Sequence, residues 1–319
     1  MSAALKIRKR VLGLIASLAW AGFYLLRFGE RVVPLRIFSL LLWPPAAAWD
    51  LMHLRRRRLL TCWRRFPKQW HPTPFSFFLR QSMGLYHAQL VYAWPDRLCT
   101  PKWRNRCRLE GKVDLVRSWK NDRPMVLASI HVGPSEILNY WLRAHGIAVT
   151  TVRGLWPDSL HGLASRQHAL SPPTGVPVFL PVNEMSRVRQ FLGAGQRLLV
   201  MVDVDRGKQI HVPFEGHRFR MATGAIRLAT LAKAELVPCV IVENGTWNFV
   251  IHFGEPVPEE FLSGTPDMTA IGTHLLTEFS KVIVRFPEQC KPRFLSSISP
   301  TAGDDVSDFS SLEYATESQ

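Results

Sequence analysis

After the first third of the chain, short apolar runs alternate with segments of helical periodicity. Runs at 123–130 and 196–202 are rich in Val, Leu, Ile, Met and Ala, which predicts buried strands. Segments 134–146, 183–194 and 267–286 carry apolar residues at helical spacing. Alternating strands and helices are typical of an α/β fold with helices flanking a mostly parallel central sheet. Further strands are predicted at 147–152, 176–180, 236–242 and 246–254, and a further helix at 221–234.

The first third of the chain has a different pattern. Two apolar runs, at 11–26 and 32–49, are flanked by clusters of arginine and lysine, including four arginines at 55–58. Three interpretations remain open: a cleaved signal peptide, a transmembrane helix, and helices lying flat in one leaflet. The first run falls short of the roughly 20 residues of a comfortable span, and basic residues at both ends select no direction of crossing. We favour helices lying in the cytoplasmic leaflet.

These patterns divide the chain into four regions. We predict an apolar and basic helical membrane anchor at 1–60 and basic, aromatic helices at the membrane surface at 61–110. A globular α/β domain follows at 111–292. The tail, 293–319, is rich in serine and acidic residues, and we expect it to be disordered.

The charge of the chain, +15 overall, is unevenly distributed. Residues 1–110 contain 20 Lys and Arg but only 4 Asp and Glu, whereas the remainder has 20 and 21. The basic, apolar first third is followed by a nearly neutral body. This distribution argues against nucleic acid as the binding partner and favours an anionic membrane surface. The five cysteines show no metal-ligand spacing, which favours reduced thiols and argues against a structural zinc site.

The candidate chemistry lies in "ASIHVGPSEIL", residues 128–138. His131 follows a predicted buried strand, and Glu136 falls in the first turn of the predicted helix that Pro134 begins. About one such spacing of histidine and acid is expected by chance, so the pair has meaning only if a helix begins between the two residues. In that case the carboxylate is expected to reach back to the imidazole and orient it as a base.

The His-x4-Glu pattern resembles that of the late (lauroyl and myristoyl) acyltransferases of lipid A biosynthesis, members of the glycerolipid acyltransferase superfamily. The resemblance covers roughly residues 10–292 and keeps the order of the family's motifs. Its further elements are "VTTVRG" at 149–154, "LLVMVDVDRG" at 198–207, "HVPFEG" at 211–216, "ATGAIRLATLAKAELVPCVI" at 222–241 and "RFPEQC" at 285–290. The chain departs from the family pattern at Pro134-Ser135, Gly154 and Glu215, which bears on the acceptor more than on the chemistry.

The resemblance implies a membrane-bound O-acyltransferase. His131 would be the general base for an acceptor hydroxyl, with Glu136 orienting it. Arg166 would stabilise the developing oxyanion, and Arg153 would share that role or hold a substrate phosphate. Asp203 would position Arg166 or the acceptor hydroxyl. No cofactor and no metal are implied.

The same resemblance implies acyl carrier protein as the acyl donor and a lipid A precursor or similar glycolipid as the acceptor, at the cytoplasmic face of the bacterial inner membrane. Two alternatives remain. One is an acyltransferase acting on another lipid, such as a lysophospholipid or an ornithine lipid. The other is a non-catalytic membrane protein that binds lipid or carrier protein.

Overall fold

The computed structural model describes residues 60–82, 100–117, 124–153 and 179–299, together with Phe28, Val33, Ile37 and Leu98. Its strands are β1 Cys107–Gly111, β2 Met125–Ser129, β3 Thr150–Arg153, β4 Phe179–Pro181, β5 Arg197–Met201, β6 Gln209–Phe214, β7 His217–Ala222, β8 Glu235–Glu243, β9 Phe249–Phe253 and β10 Ile298–Ser299. Its helices are α1 Pro74–Ser82, α2 Pro101–Arg104, α3 Val113–Arg117, α4 Leu138–Ala144, α5 Met185–Gly193, α6 Gly224–Ala232, α7 Glu259–Leu262, α8 Met268–Ile283 and α9 Pro292–Ser296.

A seven-stranded sheet forms the centre of the body, in the order β1-β9-β8-β2-β5-β3-β4. Every pairing in it is parallel except β8 with β9, which is antiparallel. All five residues of β2 are buried, as expected of a parallel strand covered on both faces. The predicted α/β fold with a mostly parallel central sheet is therefore confirmed.

Helices pack on this sheet. The side of α6 that carries Ala225, Ile226 and Ala229 is fully buried and contacts β2, β5 and β8. The longest described helix, α8, is capped by Asp267, whose carboxylate accepts hydrogen bonds from the amides of Thr269 and Ala270. Such a cap satisfies amides that have no partner within the helix.

A second sheet, antiparallel and three-stranded, has the order β10-β7-β6. Strands β6 and β7 form a hairpin whose two turn residues, Glu215 and Gly216, both have positive φ, 48° and 75°. The predicted helix at 221–234 is wrong at its start, because Ala222 still belongs to β7 and α6 begins at Gly224. The hairpin escapes prediction because such a turn usually carries Asn-Gly or Asp-Gly, and here it carries Glu-Gly.

The basic, aromatic segment before the body packs against the body itself. Phe66, Trp70 and Phe77 are buried, and Trp70 contacts Phe214 of β6 edge to face, with ring centres 5.7 Å apart. These three aromatic side chains therefore pack inward. Trp70 lies on the second sheet through Phe214, and α1, which carries Phe77, contacts the turn at 287–289. The expected position of 61–110 at a membrane surface stays a prediction.

The predicted membrane anchor at 1–60 lies outside the described residues, apart from Leu60 and three isolated positions. No helix among residues 60–82, 100–117, 124–153 and 179–299 is long and apolar enough to cross a bilayer. At the other end, α9 and β10 extend the packed body beyond residue 292, where we expected the tail to begin. Residues 300–319 lie outside the described chain.

The burial of the aromatic segment gives a prediction about stability. Phe77 is completely buried, whereas Phe75 in the same helix is 72% exposed. We expect Phe77→Ala to lower the free energy of unfolding by about 3–5 kcal/mol, because it leaves a cavity in the core. Phe75→Ala, the matched control, should change it by less than about 0.5 kcal/mol. Urea unfolding of both variants in detergent measures this, and equal effects would mean that the segment does not belong to the core.

Candidate active site

The register between β2 and β5 brings His131 and Asp203 together. Ser129 pairs with Met201 at the ends of these parallel strands, and the amide of Val202 extends the ladder to the carbonyl of Ser129 at 2.8 Å. His131 and Asp203 each follow two residues after that last pair. Because the strands are parallel, both residues lie at the same edge, where the carboxyl ends of the strands meet.

The carboxylate of Asp203 contacts both the backbone amide and the ring of His131. Asp203 Oδ2 accepts from the backbone amide of His131 at 2.7 Å, and Asp203 Oδ1 lies 2.8 Å from Nδ1 of the ring. A carboxylate only accepts hydrogen bonds, so Nδ1 carries a proton, and in the neutral ring Nε2 then presents its lone pair. The Asp203 side chain is fully buried while the His131 side chain is 21% exposed, so the ring can be reached from solvent and its partner is shielded.

Glu136 does not hold His131, contrary to our expectation from the sequence. It lies in a 3₁₀ turn, Ser135–Ile137, before α4, and its Oε2 accepts from Nζ of Lys291. The predicted orienting contact is therefore made by Asp203. The physical reason is that the strand register places Asp203 opposite His131, whereas the tight 3₁₀ turn leads Glu136 to Lys291.

Glu136 still carries charge close to the base. Desolvation by the surrounding protein acts to raise the pKa of Glu136, but the ammonium of Lys291, a backbone hydrogen bond and the charge of His131 act against it, and the pKa lies below its ordinary value. Glu136 is therefore a carboxylate at neutral pH, near enough to His131 for their charges to interact. It forms a second negative group beside the base, bonded to Lys291.

The loop that carries His131 is held between two other segments. Gly133 has a positive φ of 57°, and a Cβ atom there would lie 2.2 Å from the carbonyl oxygen of Ile241 in β8. On the other side, the His131 carbonyl accepts from the amide of Lys291 at 3.0 Å, and the Gly133 amide donates to the carbonyl of Gln289 at 2.9 Å. Only glycine fits this position without displacing β8.

Of the two arginines of the predicted site, Arg166 and Arg153, the structure describes Arg153. Arg166 lies outside the described residues. Arg153 ends β3, at the same sheet edge as His131, and its guanidinium carbon lies 4.3 Å from the centre of the Phe179 ring. That distance indicates a cation–π contact, which fixes the side chain over β4.

A neighbouring thiol is excluded as a nucleophile. Cys290 is completely buried and bridges to Val132, next to His131. Burial, with smaller contributions from the charges of Glu288 and Asp203, raises the pKa of the Cys290 thiol well above its ordinary value, so it is not a thiolate at neutral pH. Within the described part of the chain, no group of three or more His, Cys, Asp or Glu is placed to hold a metal ion.

Four further residues around this loop were not singled out by the sequence. One of them, Gln289, belongs to the "RFPEQC" segment of the family resemblance, although no role was expected of it. The other three belong to no quoted motif, and long-range contacts bring all four here. They are Arg80, Glu243, Gln289 and Lys291.

Comparison with known proteins identifies the family. The model of the bacterial lipid A biosynthesis acyltransferases matches residues 80–291, about two thirds of the chain. The chain belongs to this family. This acyltransferase therefore acts on lipids, and its His131 and Asp203 both lie within the matched region. None of the curated proteins compared matches it.

Solved structures are also similar to this lipid A biosynthesis acyltransferase. One of them is the 1-acyl-sn-glycerophosphate (LPA) acyltransferase PlsC from Thermotoga maritima, with 12% sequence identity and a TM-score of 0.37. The similarity covers 79% of this chain and 97% of that one. The family membership does not depend on it.

The contact of Asp203 with His131 predicts how acyl transfer responds when one carboxylate oxygen of Asp203 is replaced by an NH₂ group. In Asp203→Asn, the backbone N–H of His131 still requires an acceptor, so the side-chain oxygen of the new asparagine takes that position. The NH₂ group of the asparagine then faces Nδ1. The ring then adopts the tautomer with the proton on Nε2, where the base must accept. We expect acyl-transfer kcat to fall roughly 10²–10⁴-fold, the usual range for general-base catalysis.

The matched control is Asp205→Asn. Asp205 is exposed, lies two residues away and pairs with Arg293 at 2.9 Å, so its loss should leave kcat near the wild-type value. Steady-state kinetics of both variants decide the matter. A kcat in Asp203→Asn equal to that of the control would remove Asp203 from the mechanism.

Proposed function

We propose that this acyltransferase moves a fatty acyl chain from an acyl thioester to a hydroxyl group of a lipid A precursor or a similar glycolipid. The observation that carries the proposal is the contact between His131 Nδ1 and Asp203, which leaves Nε2 as an accessible base at the carboxyl edge of the sheet. In a family of lipid A acyltransferases, an accessible, oriented imidazole fits direct transfer to a hydroxyl.

The reaction proceeds in two proton transfers around one tetrahedral intermediate. Nε2 of His131 removes the proton from the acceptor hydroxyl as its oxygen attacks the thioester carbonyl. The carbon–sulfur bond then breaks, and the imidazolium returns the proton to the departing thiolate. No acyl-enzyme forms, which agrees with the buried, protonated thiol of Cys290 beside the site.

Asp203 stabilises His131 while the ring is positively charged. Its carboxylate is buried, and a hydrogen bond to a charged group is stronger in such surroundings than in water. The carboxylate also fixes the ring through two contacts, since it binds the His131 backbone as well as Nδ1. Orientation and charge are thus supplied by one residue.

The remaining site residues keep the roles that the family resemblance implies for them, with one change. Glu136, paired with Lys291, adds negative charge near the imidazolium but does not set its tautomer. We assign the oxyanion to Arg166, and a phosphate of the substrate to Arg153, whose guanidinium lies at the same sheet edge.

Charge supports the choice of donor and location. Acyl carrier protein is acidic, and the basic residues of this chain are concentrated in its first 110 positions. The apolar runs in that region would hold the enzyme on the cytoplasmic face of the bacterial inner membrane, where anionic lipid attracts the arginines. Donor and acceptor would both reach the site there.

The proposal predicts a specific transfer. Membranes containing the wild-type protein, solubilised in detergent, should transfer the acyl chain of an acyl carrier thioester to an under-acylated lipid A precursor. His131→Ala should lower the rate by roughly 10²–10⁴-fold, because it removes the base. Mass spectrometry of the acceptor measures the added chain.

A panel of acceptors makes the outcome decisive. Transfer to a lysophospholipid or an ornithine lipid, but not to the lipid A precursor, would replace the proposed acceptor and leave the chemistry intact. Equal rates for wild type and His131→Ala would remove His131 from the mechanism. Membranes that lack the protein provide the background rate.

A further inference from the structure

The segment behind the His131 loop is held by a side chain that imitates a strand. The Glu243 amide, at the end of β8, donates to Oε1 of Gln289 at 2.9 Å. Nε2 of Gln289 donates in return to the Glu243 carbonyl at 2.7 Å. The last registered partners of β8 and β2 are Pro238 and Ala128, so the Gln289 amide takes the place of a neighbouring strand at the far end of β8.

The same segment then holds the catalytic loop through its backbone. Its Gln289 carbonyl accepts from the Gly133 amide, its Lys291 amide donates to the His131 carbonyl, and Cys290 forms the bridge with Val132 between them. The His131 loop is thus tied to β8 through residues 289–291. We name this arrangement the Gln289 clamp.

Helix α1 secures the clamp from outside the catalytic body. Arg80 Nη1 lies 2.8 Å from Oε2 of Glu243, whose side chain is fully buried. The neighbouring Gln81 donates from Nε2 to the carbonyl of Cys290 at 3.0 Å. The helix therefore contacts both ends of the clamp, the strand end that receives it and the segment that it fixes.

The residues of the Gln289 clamp are buried, which restricts their movement. Gln289 is 5% exposed, Glu243 1% and Cys290 0%. A buried amide or carbonyl without a partner is costly, so each bond in the clamp disfavours any movement of the segment. The loop has little freedom on its other side, since Gly133 lies against the backbone of β8.

We propose that Gln289 is a positioning residue for the acyl transfer: it fixes segment 289–291 to β8, and this segment holds the His131 loop where Asp203 can orient the imidazole. The proposal rests on the proposed general-base role of His131. Gln289 does not touch the reacting atoms. It acts on the backbone of the base, as Asp203 acts on the ring.

The test uses Gln289→Met, which keeps the length of the side chain and removes both hydrogen bonds. We expect kcat to fall roughly tenfold to a hundredfold with KM little changed, since displacing a catalytic group by about 1 Å costs rates of this order.

A matched control separates positioning from general destabilisation. Glu278 is also buried and accepts from a loop amide, that of Glu255, but it lies beside Gly254, where Pro238 from the first half of β8 also approaches, and not beside Glu243 at the end of β8. Glu278→Met should lower the melting temperature without changing kcat. A milder variant, Gln81→Leu, loosens the clamp from α1 and should lower kcat in the same direction if Gln289→Met does not fold.

Hydrogen exchange gives a readout that does not depend on the reaction. The clamp predicts that the peptide covering 129–137 exchanges faster in Gln289→Met and Gln81→Leu than in wild type or Glu278→Met. A wild-type protein without transferase activity would overturn the proposed function. The hydrogen exchange of 129–137 would then decide alone whether Gln289 holds the His131 loop. Unchanged exchange in 129–137, or a Gln289→Met enzyme with wild-type kcat, would overturn the clamp.

Discussion

The site depends on one constraint, the register between two parallel strands. Pairing of Ser129 with Met201 sets His131 opposite Asp203, and a slip of one residue would remove the contact. The two strands are buried, so their register is fixed by the core rather than by the polar residues that follow them. His131 and Asp203 are thus positioned by apolar packing several residues away. This packing explains how residues in loops keep a fixed distance from each other.

A second layer of contacts surrounds this pair. The His131 loop lies between the end of β8 and the segment at 289–291, and both are secured by buried hydrogen bonds. Helix α1, which precedes the catalytic body, contributes Arg80 and Gln81 to the same region. The basic, apolar runs lie before α1 in the chain. The part of the chain that we propose meets the membrane therefore leads into the elements that hold the His131 loop.

Much of the fold could be predicted from sequence because its strands and helices carry strong periodicity. Strand β2, helix α5 and helix α8 all lie within the predicted ranges. Strand β1 and the β6–β7 hairpin were missed, since their apolar alternation is short and the hairpin turn lacks its usual residues. The inward direction of Phe66, Trp70 and Phe77 was also missed, because aromatic residues among arginines have the same composition whether they face lipid or a core.

The residues of the candidate site could be predicted from sequence only in part, because their contacts depend on the tertiary fold. His131 and Asp203 were both identified, and each at a strand end, but the pairing between them depends on which strands are neighbours and in what register. Sequence spacing favoured Glu136, five residues from His131, over Asp203, which is 72 residues away. Gln289 lies in the "RFPEQC" segment of the resemblance, but nothing in that segment indicates that its side chain pairs with the backbone of Glu243, 46 residues away.

The central claim is that Asp203, and not Glu136, sets the tautomer of His131. Nitrogen NMR of protein labelled at histidine, with His131 assigned from the signal lost in His131→Ala, measures it directly. The account predicts a protonated Nδ1 and an unprotonated Nε2 in the wild type, unchanged in Glu136→Gln. A proton on Nε2 in the wild type, or a tautomer that changes in Glu136→Gln, would contradict it.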